Sequence, residues 1–133
     1  MYVLDVGLLA CMVGINQKVL LDGNALFVEF KGALTEQYVL QQLIVDGNLK
    51  IYYYTNENSG WEVDFVVDTG DYVVPVEVKA EVNLRAKSLK AYVEKFNPNV
   101  AIRTSMSNYK KESWLINLPL YAIDNLCQEV RDE

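Results

Sequence analysis

Apolar positions follow one rule at the start of this chain and another later. From Val3 to Val13 they are almost uninterrupted. Leu4, Val6, Leu8, Leu9, Cys11, Met12 and Val13 cannot share one stripe of a helix. The pattern predicts a helix that is apolar on nearly every side and wants burial from two directions. It begins with no polar lead-in, so a partner or an upstream segment is expected to cover it. Residues 1–24 therefore read as an apolar helix and a linker marked by Asn16, Asp22, Gly23 and Asn24, and residues 25–133 as the domain proper. A second helix is predicted over Gly32–Val45, stopped by Asp46-Gly47-Asn48. Ala33, Val39, Leu40, Leu43 and Ile44 form its apolar stripe, and Glu36 falls in the middle of it. A carboxylate in that position is costly unless it meets a cation, a metal or hydrogen-bond donors.

The period then changes to two. Lys50–Thr55, Trp61–Asp68 and Tyr72–Lys79 read as strands, the last two joined by Asp68-Thr69-Gly70-Asp71. Asn83 can cap a helix over Leu84–Phe96, with Ala86, Leu89, Tyr92, Val93 and Phe96 on its inner face and Lys87, Lys90 and Glu94 outside. Short strands are predicted at Val100–Thr104 and Leu120–Ile123, with a polar loop over Ser105–Glu112. The order α-α-β-β-β-α-β-β predicts an α/β (α+β) mixed sheet with helices packed on it.

The hairpin carries the chemistry. If Asp68 pairs with Asp71, then Val67 faces Tyr72, Asp64 faces Pro75 and Glu62 faces Glu77. Asp64 and Glu77 become diagonal neighbours on one face, roughly 7–8 Å apart at Cα. Lys79, two residues beyond Glu77, shares that face. The valines and Phe65 point the other way. Two carboxylates a few ångströms apart are hard ligands suited to Mg²⁺ or Mn²⁺. A metal-bound water can attack a phosphodiester, and an ammonium beside it can orient that water and offset charge. Glu36 is a candidate fourth member. The same pattern also suits an amphipathic hairpin with Glu and Lys on its wet side.

Composition narrows the choice. The 133 residues make one domain, 51% hydrophobic and 23% charged. Histidine is absent, which excludes Ser-His-Asp and Cys-His catalysis and every His-ligated zinc site within the chain. Two cysteines, Cys11 and Cys127, suit reduced thiols in a cytoplasmic protein better than a disulfide framework. Tyr2–Ile15 lacks the basic flank of a signal peptide and is too short to span a bilayer. The net charge of −6 argues against coating nucleic acid by charge alone. Between Lys79 and Lys111, however, eight basic residues meet two acidic ones, so that stretch carries +6 and the rest −12. Arg85, Lys87 and Lys90 within it are candidates for phosphate contact.

The segments YVLDVGLLACMVG, KGALTEQYVLQQL, YYYTNENSGWEVDFVV, VPVEVKAE and LPLYAI, in this order, resemble one branch of the PD-(D/E)XK nuclease superfamily. That branch is the domain of unknown function found C-terminal to the P-loop module in a group of prokaryotic AAA-type ATPases. The resemblance runs from Tyr2 to about Ile123. It implies a restriction-endonuclease-like sheet, with Asp64 and Glu77 as metal carboxylates together with the Val78 carbonyl. It also implies Lys79 as the catalytic lysine, Glu36 as the helix-borne acid assisting the metal, and Mg²⁺ or Mn²⁺ as cofactor. The motif's proline is replaced by Val63, and the chain contains no G-x-x-x-x-G-K-[ST]. Two functions follow. One is a metal-dependent nuclease acting on nucleic acid, DNA before RNA. The other is a catalytically silent module docking an ATPase, nucleic acid or, through residues 2–15, a second copy.

Overall fold

The computed structural model describes residues 2–15, 25–45, 48–58, 60–80 and 85–132, with the side chains of 25–30 left out. The linker at Asn16 and Asp22 to Asn24, the Asp46-Gly47 turn and the Asn83 cap lie outside the described residues. The elements in chain order are α1 (Val6–Met12), α2 (Ala25–Val45), β1 (Lys50–Thr55), β2 (Glu62–Asp68), β3 (Val73–Lys79), α3 (Lys87–Phe96), β4 (Ile102–Ser105), β5 (Lys110–Lys111), β6 (Ile116–Pro119), a 3₁₀ helix (Leu120–Asn125) and α4 (Leu126–Arg131).

The six strands form one mixed sheet in the order β1-β2-β3-β4-β6-β5. β1, β2 and β3 run antiparallel, β3/β4 and β4/β6 are parallel, and β5 returns antiparallel to β6. The parallel step from β3 to β4 requires a crossover, and α3 supplies it. The fold is thus a mixed α/β sheet flanked by helices, as the alternation of periods predicts. Among the described residues no helix is long and apolar enough to cross a membrane.

Each face of the sheet has its own core. On one, Val39 and Leu43 of α2 pack with Phe65, Val67, Val74, Val76 and Val78, joined by Ile123, Leu126 and Val130 from the C-terminal helices. On the other, Leu89 and Tyr92 of α3 pack on Val63, Val66, Ala101 and Leu115. Central β3 is covered on both sides, and its residues 74–78 are all buried. Burying such a side chain contributes about 1.5–3 kcal/mol, so α2 and α3 are held by a few residues each. The predicted stripe of α2 is narrower than expected, since Ala33 and Ile44 are exposed and Gln37 is buried at 1% exposure.

Near the C-terminus the apolar run misleads. Leu120–Ile123 is 3₁₀ helix, and the strand lies just before it at Ile116–Pro119. Pro119 has no N–H to extend a ladder. Within the predicted loop, Ser105 belongs to β4 and Lys110–Lys111 forms β5. Arg103, counted above with the basic stretch, is 3% exposed inside the sheet. Its Nε donates to Asn117 Oδ1 at 2.9 Å, which also accepts from Ser105 Oγ at 2.9 Å. Asn117 Nδ2 in turn donates to the Asn108 carbonyl at 2.9 Å, so one buried amide ties β4, β6 and the intervening loop.

The N-terminal segment is docked by polar groups. The Val3 N–H donates to Gln37 Oε1 and the Val3 carbonyl accepts from Gln37 Nε2, both at 2.8 Å. One turn on, Gln41 Oε1 accepts from the Val6 N–H at 3.1 Å. Asp5 caps α1 by accepting from the Leu8 N–H at 3.0 Å. No residue of α1 is buried, and Leu4, Leu8 and Met12 are exposed. Within this single chain, the two-sided covering predicted for the apolar helix is absent among the described residues.

Candidate carboxylate site

The site is built by a one-residue irregularity in β2. Tyr52 pairs with Val66 but Tyr54 pairs with Val63, so Tyr53 alone stands opposite both Asp64 and Phe65. This is a β-bulge, which bends its strand and re-aims a side chain. Its effect is visible in the cores: Val63 and Val66 lie on the α3 side although three residues apart, while Phe65 and Val67 lie on the α2 side.

The β2–β3 register also differs from the predicted one. Asp68 pairs with Val73 and Phe65 with Val76. Residues 69–72 therefore form the loop, in which Asp68 Oδ1 accepts the Gly70 N–H at 2.8 Å and Thr69 N–H donates to the Tyr72 carbonyl at 3.0 Å. Gly70 sits at φ 93°, a conformation L side chains rarely adopt. The offset of two preserves strand parity. It moves Glu77 away from Glu62, and Asp64 and Glu77 become next in line beyond the last ladder pair. There the two strands part. The Asp64 carboxylate enters the fork, where Oδ2 accepts the Val78 N–H at 2.7 Å in place of a ladder bond.

Val78 is packed on the α2 side, so alternation turns Glu77 and Lys79 toward the α3 side. Glu77 is 6% exposed. Its Oε1 meets Lys79 Nζ at 2.5 Å, and its Oε2 is buried with no hydrogen-bond partner among the described residues. Glu36 approaches from α2. The structure thus sets Glu77 and Lys79 on one face and Asp64 in the plane between the strands. Glu36 reaches in from another element, within electrostatic range of both Asp64 and Glu77.

Electrostatics follow from that crowding. Burial pushes the Asp64 carboxyl up to about 7, and the charges of Glu77 and Glu36 push the same way, while the Val78 N–H and Lys79 oppose them. Burial likewise raises Glu36, with Glu62 and Glu77 adding to it against a hydrogen bond from Tyr2. The Tyr2 hydroxyl donates to Glu36 Oε2 at 3.4 Å, and burial followed by the charges of Glu36 and Asp64 raises it to about 12. A cavity of about 240 Å³ opens here, lined by Glu36, Glu62 and Asp64 together with Tyr2, Tyr53 and Tyr54. Tyr2 and the tyrosines of β1 are site residues that sequence reasoning missed. Nothing local marks Tyr2; the buried Gln37 amide brings it in.

Among the described residues, no three carboxylates stand close enough together to form a metal cage on their own. A Mg²⁺-like ion needs fewer, since it binds through one or two carboxylates and keeps several waters. The orphaned Glu77 Oε2, the like-charge pressure on Asp64 and the all-oxygen donor set fit such an ion. Arg85, Lys87 and Lys90 are exposed, Lys90 lying 3.9 Å from Glu94 along α3. Lys95, by contrast, turns to the aromatic cluster, donating to the Tyr54 hydroxyl at 3.2 Å.

The family model described as Domain of unknown function (DUF4143) matches residues 31–122, a span running from α2 through the 3₁₀ helix and including Glu36, Asp64, Glu77 and Lys79. No curated protein matches the chain. The chain belongs to the DUF4143 family.

Proposed function

We propose that this DUF4143 domain is a PD-(D/E)XK-type phosphodiesterase acting on nucleic acid, working with the P-loop ATPase that the family resemblance implies. The observation that carries this reading is the buried, unpartnered Glu77 oxygen beside an Asp64 carboxylate already loaded with like charge, with Lys79 in contact. Such an arrangement is unfavourable on its own and is relieved by a cation. Asp64, Glu77 and the Val78 carbonyl would hold Mg²⁺ or Mn²⁺, an ion that keeps several of its waters, and Glu36 would accept a hydrogen bond from one of those waters and not bind the ion itself. The metal, when bound, supplies a Lewis acid and a water of lowered pKa. Lys79 donates a hydrogen bond that orients the attacking water, and its charge offsets the negative charge developing on the phosphate. The exposed Lys87 and Lys90 steer the polyanion toward the fork.

Incubation of the purified chain with Mn²⁺ and either plasmid DNA or single-stranded RNA tests this. Products are expected with the native sequence and none with Lys79→Ala. Absence of metal-dependent products from the native chain would discard the reading. The basic helix has its own test. Replacing Lys87 and Lys90 with Glu should weaken nucleic-acid binding and lower the salt slope by roughly 0.7–0.9 unit per lost phosphate contact. An unchanged slope would mean that this face is merely solvated.

The silent docking module remains the second reading, and one observation favours it. No residue of helix α1 is fully buried by the described residues, and the helix and its lead-in expose Leu4, Leu8 and Met12, a surface suited to an ATPase domain or a second copy.

A further inference from the structure

A second cavity adjoins the carboxylate site. It measures about 190 Å³ and is lined by Tyr2, Leu40, Ile51, Tyr52, Tyr53 and Phe65. Four of these six are aromatic. Tyr2 and Tyr53 line both this slot and the acidic cavity, so the two spaces share these two walls. The Tyr2 and Phe65 rings are 5.8 Å apart and tilted by 40°, which fixes the floor of the slot. Tyr53 is 77% exposed and Tyr52 55%, on β1, the edge strand of the sheet among the described residues. Neighbours on a strand point to opposite faces, so Tyr53 is the exposed ring turned to the slot, and a stacked nucleobase can use it because every base presents an aromatic face.

We propose that this slot receives one unpaired base, and that the substrate of the site is therefore single-stranded nucleic acid or a single-stranded end. The proposal rests on the hydrolytic reading above and names its substrate class. The slot is smaller than a pocket for a drug-sized molecule, so it suits one flat ring with its sugar left outside. A base inside a duplex has both faces covered by its neighbours and cannot enter without being extruded, at a cost in stacking. The bulge that sends Asp64 into the fork leaves Tyr53 directly across from it. A base on Tyr53 thus places its own phosphate toward the carboxylates. The slot carries no charged side chain, and nothing in its lining distinguishes DNA from RNA.

Fluorescence anisotropy in Ca²⁺, which supports binding without turnover, tests this with single-stranded DNA, single-stranded RNA, duplex DNA and a single strand carrying one abasic position. The native chain should prefer single strands to duplex. Tyr53→Ala should weaken single-strand binding by roughly 5- to 100-fold, the range for loss of one stacked base, while Tyr53→Phe keeps the affinity. On the abasic strand aligned with the slot, Tyr53→Ala should cost little. Tyr53 is exposed, so the fold tolerates its truncation. Equal affinity for duplex and single strand, or undiminished affinity in Tyr53→Ala, would overturn the slot. If Mn²⁺ binds at Asp64 and that happens, the hydrolytic reading stands and the base slot falls. If no metal binds yet Tyr53-dependent binding of single strands persists, the slot stands and the hydrolytic reading falls.

Discussion

With Asp64→Asn, Mn²⁺ should no longer raise the melting temperature, whereas the native chain should gain on the order of 10 °C at a hundredfold excess over Kd. That gain corresponds to about 2.7 kcal/mol of linkage, spread over a domain of this size. The metal-free proteins should differ too. Asp64 titrates near 3.8 when unfolded and at about 7 in the fold, chiefly because it is buried and faces Glu77 and Glu36. Between those values the native state keeps a proton that the unfolded chain has released. Stability without metal therefore falls as pH rises through that window, and the full cost, on the order of 4 kcal/mol, is reached above about pH 7. Glu36 is shifted in the same direction and steepens the slope. Asparagine can still accept the Val78 N–H and carries no charge. Asp64→Asn should flatten the profile and be the more stable protein at about pH 8. Thermal melts across pH, with and without Mn²⁺, read both effects. Equal metal shifts in the two proteins would place the ion elsewhere, and a flat native profile would show that Asp64 does not carry the burden assigned to it.

Lys79→Met should be the costliest single change in the site, and Glu77→Gln one of the cheapest. Removing the lysine leaves the Glu77 carboxylate buried beside Asp64 and Glu36 with no cation, and breaking a buried pair from one side costs about 3–5 kcal/mol. The lysine side chain is 29% exposed, so water compensates in part and the lower end of that range applies. Glu77→Gln removes the repelling charge instead, and Lys79 can turn to solvent. Chemical denaturation of the two metal-free variants measures the asymmetry directly. Equal losses would mean that the pair is an ordinary stabilising ion pair. The expected result would mark the site as one where stability is given up for chemistry.

The hairpin was the most legible part of this fold because its strands are rich in β-branched residues at period two. Val74, Val76 and Val78 are buried where alternation puts them. The register was harder to read. Asp68-Thr69-Gly70-Asp71 resembles a two-residue turn, but the Asp68 side chain binds Gly70 and lengthens the loop to four residues. The bulge was invisible, because nothing in Glu62-Val63-Asp64-Phe65 announces an extra residue; it is specified by the partner strand. The beginning of α2 at Ala25 lies seven residues before the Gly32 expected to start it. Gly32 is tolerated inside the helix at the modest cost glycine carries there. Strand β6 was missed because Trp114 to Ile123 is apolar except for Asn117, and only Pro119 marks the boundary between strand and helix. Tyr2 could not be foreseen, since it reaches Glu36 across 34 positions by way of a glutamine that reads as surface.

The extra residue in β2 has a consequence for how such a site could arise and be lost. On either side of it the strand obeys opposite alternation, so the half beyond Phe65 answers to the valine core and the half before Asp64 answers to the fork. Deleting one residue at the junction would rotate Val63 and Glu62 through the sheet together, and no point substitution could restore them. The two halves can accept substitutions independently, whereas a change in length between them acts on all of the chemistry at once. A relative of this chain lacking that residue would keep the valine core and the sheet, turn Val63 out of the α3-side core and lose the carboxylate from the fork.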